Sequence, residues 1–177
     1  MSAAVNYAEA LFSLSEETRA SERVLSDVNM TNKVLCENPD YFKLTDTPAI
    51  SVPEKLSLIE RAFAGIDVTV KNLLKILCEK HSVHIFPEIA KEFTAIYNEA
   101  YGICPAEVIS AKTLSAEDIA RIKEKLERMT GKTIVIKNTI DQSLLGGIKL
   151  RYMGRELDGT LKARLTRIEQ NLKNTIV

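Results

Sequence analysis

Cysteine and histidine are scarce in this chain, and their scarcity removes several function classes at the outset. Three cysteines, Cys36, Cys78 and Cys104, are an odd number with no framework spacing; they read as reduced thiols and point to a cytosolic compartment. Two histidines leave little acid–base equipment, and no serine or cysteine has a neighbouring His–Asp pair from which a triad could be built. No uncharged stretch approaches the roughly 20 residues needed to span a bilayer. The N-terminus lacks a basic segment followed by an apolar run, and Glu9, Glu16 and Glu17 argue against a transit peptide. Internal repeats and low-complexity segments are missing as well.

What is present is ordinary globular material. The 177 residues are 45% hydrophobic and 27% charged, enough for one domain of usual size or two small ones. The formal net charge is zero, but it is unevenly spread. Residues 1–102 carry 10 basic and 15 acidic side chains, and residues 103–177 carry 14 and 9. The two halves are expected to meet partners of different charge.

The first hundred residues read as helix throughout. Ser2 caps a helix over 2–17 whose apolar residues Val5, Tyr7, Ala8, Ala10, Leu11, Phe12 and Leu14 sweep roughly 220° of the wheel, more than one core face requires. A stripe centred on Ala8 and Phe12 serves the core, which leaves Tyr7, Ala10 and Leu14 at i, i+3 and i+7 as a second face. Residues 21–37 form the next helix, stopped by Asn38-Pro39, and Asp40–Leu44 reads as a short turn. Ser51 and Glu54 form a capping box for a helix ending at Gly65. Asp67 caps a helix with Leu73, Leu74 and Leu77 toward the core and Asn72, Ile76 and Glu79 beside them. Pro87 begins the last helix of this half. Five or six helices on short connections make a bundle.

At Gly102–Pro105 the hydrophobic period changes, and this is the expected boundary of a small α+β domain spanning 103–177. Glu107–Ala111 reads as a strand. Ser115 caps a helix ending at Gly131, and β-branched Thr133–Ile140 is a second strand. Leu144–Gly147 is a tight turn, with Gly146 and Gly147 supplying backbone angles or room that a Cβ forbids. Ile148, Leu150 and Tyr152 alternate with Lys149 and Arg151 as a strand. Asp158-Gly159 then turns into a helix with the apolar stripe Leu161, Leu165, Ile168 and Leu172. The expected fold class is α+β: an all-α bundle, then a small mixed unit.

Three constellations imitate chemistry. Gly131-Lys132-Thr133 resembles the tail of a phosphate-binding loop, but Leu126 stands where that loop needs glycine, and the triplet closes a helix instead of opening one. Cys78, His81 and His84, with Glu88 nearby, have metal-like spacing, yet three-residue steps spread Cys78 and His84 roughly 120° apart on a helix. A small metal-dependent enzyme is one alternative reading. The basic residues Arg151, Arg155, Lys162, Arg164 and Arg167 offer another, an RNA-binding accessory protein, against which stands the near absence of aromatics for base stacking on these strands.

One resemblance makes the reading specific. Leu144-Leu145-Gly146-Gly147-Ile148-Lys149-Leu150-Arg151, the later Asp158-Gly159-Thr160-x-Lys162-x-Arg164-Leu165, and Tyr7-Ala8-Glu9-Ala10-Leu11-Phe12 at the other end resemble the delta subunit of bacterial F-type ATP synthase. The mitochondrial counterpart of that family is the oligomycin-sensitivity-conferring protein. One departure is that Gly154 falls a residue later than the pattern places the glycine between Arg151 and Asp158. The resemblance implies a non-catalytic stator subunit without cofactor, peripheral on the cytoplasmic face of the bacterial plasma membrane. It implies that residues 1–102 grip the N-termini of the α subunits in the α3β3 head, and that residues 103–177 bind the b subunits of the peripheral stalk. Tyr7, Ala10, Asn72, Ile76 and Glu79 are the partner-facing positions it implies, the last three beside Asn72-Leu73-Leu74-Lys75-Ile76-Leu77.

Overall fold

The computed structural model describes residues 2–47, 49–144 and 146–160. The expected helix carrying Leu161, Leu165, Ile168 and Leu172 therefore lies outside the described residues, as does Leu145 of the glycine turn. The chain divides into two compact units, Met1–Ala100 and Tyr101–Val177.

The first unit is all helical: α1 (Ala3–Glu17), α2 (Ser21–Glu37), α3 (Pro39–Asp46), α4 (Val52–Ala62), α5 (Val68–Glu79) and α6 (Phe86–Ala100), with a 3₁₀ turn at Val83–Ile85. The caps follow the sequence. The Ser2 hydroxyl accepts from Ala4 N–H at 3.2 Å and the Asp67 carboxylate from Thr69 N–H at 2.8 Å, and Ser51 N–H donates to Glu54 at 3.3 Å. Each satisfies a donor that the first helical turn leaves over.

Ala4, Ala8 and Leu11, Val24, Val28 and Leu35, Ile59 and Phe63, Val70, Leu73, Leu74 and Leu77, and Phe86, Ile89 and Phe93 are buried together as one core. The stripe on α1 differs from the expected one. Its centre is Ala4-Ala8-Leu11-Ser15, all buried, whereas Phe12 is only partly buried and meets Phe93 edge-on at 6.0 Å. Small side chains along the stripe let α6 approach closely, and the ring fills the flank.

Two further differences appear in this half. Asp40–Leu44 is part of helix α3, not a turn: Pro39 stops α2 and also occupies the first helical turn of α3, where its missing N–H costs nothing. Helix α4 stops at Ala62 and not at Gly65, because Phe63 leaves helical geometry to enter the core.

The second unit is a four-stranded sheet of order β2-β1-β3-β4 with helix α7 (Ala116–Thr130) joining β1 (Ile103–Ser110) to β2 (Thr133–Ile140). β1 and β2 are parallel, as a helical crossover allows. β3 (Ile148–Tyr152) runs antiparallel to β1, and β4 (Arg155–Asp158) antiparallel to β3. Strand β1 begins four residues before the expected Glu107, and β4 was not expected at all. Its sequence, Arg-Glu-Leu-Asp, has one apolar residue, and it is a strand because it pairs residue for residue with β3. Met153 and Gly154 form the connecting turn, both with positive φ (48° and 70°), the conformation that matches strand twist in a two-residue hairpin.

One face of the sheet, Cys104, Ala106, Val108, Ile134, Leu150 and Tyr152, is buried with Leu126 of α7. The opposite face carries Glu107, Lys149, Arg151 and Glu156. Register puts these charges side by side, with Glu107 opposite Arg151 and Arg151 opposite Glu156.

Candidate partner-binding surface

The three residues expected to form a second face of α1 differ in burial, and Tyr7 packs against the core. Tyr7 is partly buried, Ala10 is exposed, and Leu14 keeps 47% of its surface in solvent. Helix α5 lies beside α1 and contributes the other side. Leu73, Leu74 and Leu77 go to the core, while Asn72, Ile76 and Glu79 are all exposed, Ile76 at 42%.

One anchor fixes how the two helices meet. Lys80, the residue after α5, donates to the Tyr7 hydroxyl at 3.0 Å and sits 5.7 Å from the centre of its ring. The contact ties the end of α5 to α1, the helices that carry the six expected residues: Ala10 and Leu14 are exposed on α1, and Asn72, Ile76 and Glu79 are exposed on α5. Sequence reasoning missed Lys80. Its only signal was its place at the end of α5, one residue beyond Glu79.

Behind this surface α5 is tied to α4. The Glu60 carboxylate takes Lys75 and also Lys71, at 3.2 Å. Hydrogen bonds from Lys75, then Lys71, hold its carboxyl below the usual carboxylate range.

The candidate metal set is dispersed. Cys78 is buried, its thiol directed at the Thr45 carbonyl at 3.4 Å, and burial pushes that thiol up, away from the thiolate a metal requires. His81 and His84 are exposed and otherwise engaged, His81 with Lys55 and His84 with Asp46 at 3.1 Å. Among the described residues no group of three His, Cys, Asp or Glu side chains is placed to hold a metal ion. Gly131 ends α7 in the left-handed conformation, its N–H on the Glu127 carbonyl at 2.8 Å, so it caps a helix and does not open one.

Of the basic patch, Arg151 is paired, together with its neighbour Lys149. Arg151 bonds Glu156 at 2.7 Å and lies 3.5 Å from Glu107, and Lys149 lies 2.7 Å from Glu156. The Glu156 carboxyl is held low by Lys149, then Arg151, and the Arg151 guanidinium is pushed up chiefly by Glu156. A phosphate would have to displace these carboxylates before it could use the cations. Lys162, Arg164 and Arg167 lie outside the described residues.

The glycine turn is structural. Gly147 has φ +84°, and a Cβ there would lie 2.5 Å from the Gly159 carbonyl oxygen and 2.8 Å from the Thr160 Cα. Gly146 has φ 149°. Gly159 N–H donates to the Ile148 carbonyl at 3.0 Å, and the Asp158 carboxylate accepts from Thr160 N–H at 2.9 Å. The turn thus lets the start of β3 lie directly against the backbone that leaves β4.

Comparison with known proteins agrees with this architecture. The family described as ATP synthase delta (OSCP) subunit matches residues 3–172. An ATP synthase subunit delta of Geobacillus sp. (strain WCH70) is 33% identical over 170 residues, 96% of this chain and 96% of the relative. One of Bacillus mycoides (strain KBAB4) is 34% identical over 170 residues, covering 96% and 94%. Among solved structures, a chain of the Toxoplasma gondii mitochondrial ATP synthase hexamer has the same fold, with a TM-score of 0.73 at 20% identity over 97% of this chain and 98% of that one. Among the described residues no helix is long and apolar enough to cross a membrane, and the chain belongs to the ATP synthase delta (OSCP) subunit family, whose place in the F-type ATP synthase is that of a non-catalytic, peripheral stator subunit.

Proposed function

We propose that the α1–α5 surface is the site where the N-terminal unit grips an N-terminal helix of the synthase α subunit, in the α3β3 head, and that the C-terminal unit holds the b subunits of the peripheral stalk. The chain then transmits the counter-torque that keeps the head from turning with the rotor, at the cytoplasmic face of the bacterial plasma membrane and without inserting into it.

The observation that carries the first contact is the exposure of Ala10 and Leu14 on α1 and of Ile76 on α5, helices that are in contact and whose other faces are buried. Exposed apolar residues with polar neighbours along the same helices suit an amphipathic partner helix, and the small side chain of Ala10 permits close approach. Tyr7 offers ring area with a polar tip at one end. For the C-terminal unit the supporting feature is an apolar recess of about 360 Å³ beside α7, lined by Ile122, Leu126, Met129, Ile148, Leu150 and Leu157. Met129 and Leu157 are exposed at its mouth.

Ala10→Leu is the decisive variant. Ala10 is exposed, so the larger side chain leaves the core undisturbed and obstructs only an incoming helix. Binding of a peptide carrying the α-subunit N-terminal segment, measured by calorimetry, is expected to weaken by about 1–3 kcal/mol. Wild-type affinity in a folded Ala10→Leu chain rejects this site.

A further inference from the structure

Lys55, on α4, is fully buried, 0% exposed. Its one hydrogen-bond partner among the described residues is His81 Nδ1, at 3.2 Å. A lysine nitrogen brings up to three donors, and a buried ammonium with one acceptor is a costly way to fill a core position that methionine or leucine would fill without penalty. Packing alone does not account for the residue.

The partner stands at a sensitive place. His81 follows the last residue of the α5 cap and has φ +50°, the left-handed conformation in which glycine is usual. Its N–H donates to the Cys78 carbonyl at 3.1 Å, and Ser82 N–H donates to the Leu77 carbonyl at 2.8 Å. These two bonds form the paired closure of a helix end in which a left-handed residue reverses the chain. A histidine in that conformation is strained unless something holds it, and Lys55 reaches it from the core side.

The preceding residue is Lys80, whose ammonium closes the α1–α5 surface on Tyr7. Two consecutive residues thus tie the end of α5 in two directions: Lys80 to α1 at 3.0 Å, and His81 to α4 at 3.2 Å. Beyond them, Asp46 of α3 accepts from Val83 N–H at 3.0 Å and pairs with His84. The direction taken by Lys80 depends on where the His81 backbone is held.

We propose that Lys55 is a positioning residue for the partner surface: from inside the bundle it fixes His81, and so aims Lys80 at Tyr7 to close one end of the groove. This rests on the reading of that surface as the partner site. It adds a buried residue, out of reach of any partner, on which the affinity of the site depends.

The test uses the full chain with two variants. Lys55→Met replaces the amine with an apolar chain of similar length, and His81→Gly supplies the residue best suited to the left-handed turn. For each, thermal stability is measured, together with the rate at which a succinimidyl ester acylates Lys80 (by mass spectrometry) and the affinity for the α-subunit N-terminal peptide. A purely structural role predicts unchanged Lys80 chemistry whenever stability is unchanged. Positioning predicts stability equal to or above wild type, acylation of Lys80 faster by about 3-fold or more, and peptide affinity lower by about 3- to 10-fold, the scale of one net hydrogen bond.

Wild-type acylation rates in the folded variants overturn the proposal, whatever the peptide does. If Lys55→Met does not fold, His81→Gly decides the question in its place, since it breaks the same contact from the other side. Ala10→Leu, run alongside, separates the two claims. If it binds peptide like wild type, the partner site is misplaced, and the acylation rates still decide what Lys55 does. If it abolishes binding while both variants keep wild-type acylation and affinity, the site stands and Lys55 is excluded from it.

Discussion

Replacing Gly147 by alanine separates backbone strain from backbone contact, because Gly154 in the same unit supplies a matched control. Both glycines have positive φ, +84° and +70°. An alanine at either pays the left-handed penalty of about 1–2 kcal/mol. At Gly154 there is nothing within 4 Å of the new methyl, whereas at Gly147 it would lie 2.5 Å from Gly159 O and 2.8 Å from Thr160 Cα. Those atoms are backbone and cannot rotate away. Gly159 is itself pinned through its N–H to Ile148 at 3.0 Å, so the chain leaving β4 moves only by losing that bond. Forced displacement of packed atoms costs about 1–3 kcal/mol. Gly147→Ala should therefore cost about 2–5 kcal/mol and Gly154→Ala about 1–2 kcal/mol, summing the strain and displacement ranges. Urea unfolding followed by circular dichroism reads the difference as a shift in midpoint at constant slope. The α-peptide affinity of folded Gly147→Ala should be unchanged, since the damage falls in the second unit. Equal midpoints for the two variants would refute the close approach as the reason for this glycine.

Two other expectations follow from particular contacts. Because Lys75 and Lys71 hold the Glu60 carboxyl below its ordinary value, its contribution to stability is fully present above the unfolded carboxylate range and is lost as pH falls from there through the lowered folded-state value. The stability gap between wild type and Glu60→Gln should accordingly be widest near neutrality and narrow steadily on acidification below the ordinary carboxylate range, as read from thermal melts in low salt. The chain also divides between Ala100 and Tyr101, so limited proteolysis should nick near Tyr101-Gly102, between the end of α6 and the start of β1. A fragment of residues 1–102 should remain strongly helical by circular dichroism, and an unfolded fragment rejects two independently folding units.

Much of the fold was legible because it rests on local rules. Ser2, Ser51, Asp67 and Ser115 each cap the helix they were expected to cap, since a side-chain acceptor followed by an apolar stripe meets a need that arises within one turn. Helix α2 (21–37) and strand β2 (133–140) have the bounds that their periodicity predicts. The apolar width of α1 exceeds its buried stripe: Ala10 and Leu14 are exposed, while Tyr7 is partly buried against the core.

What failed depended on neighbours far away in the chain. Strand β4 has almost no strand character of its own and exists because β3 offers it a ladder, with Glu156 set between Lys149 and Arg151. Helix α3 was hidden because a proline that ends one helix can begin the next, and which it does is settled by whether Thr45, Tyr41 and Phe42 find a core to enter. No sequence rule distinguishes Cys78, His81 and His84 as a ligand set from the same residues turned toward Thr45, Lys55 and Asp46. Helical spacing does not apply, because α5 ends at Glu79 and leaves His81 in a left-handed turn and His84 in the 3₁₀ turn, each with a partner from another helix. Lys55 marks the limit most sharply. In the sequence it is one charged residue in the first turn of an amphipathic helix, and only the packing of α3, α4 and α5 places it in the interior against the turn that ends α5.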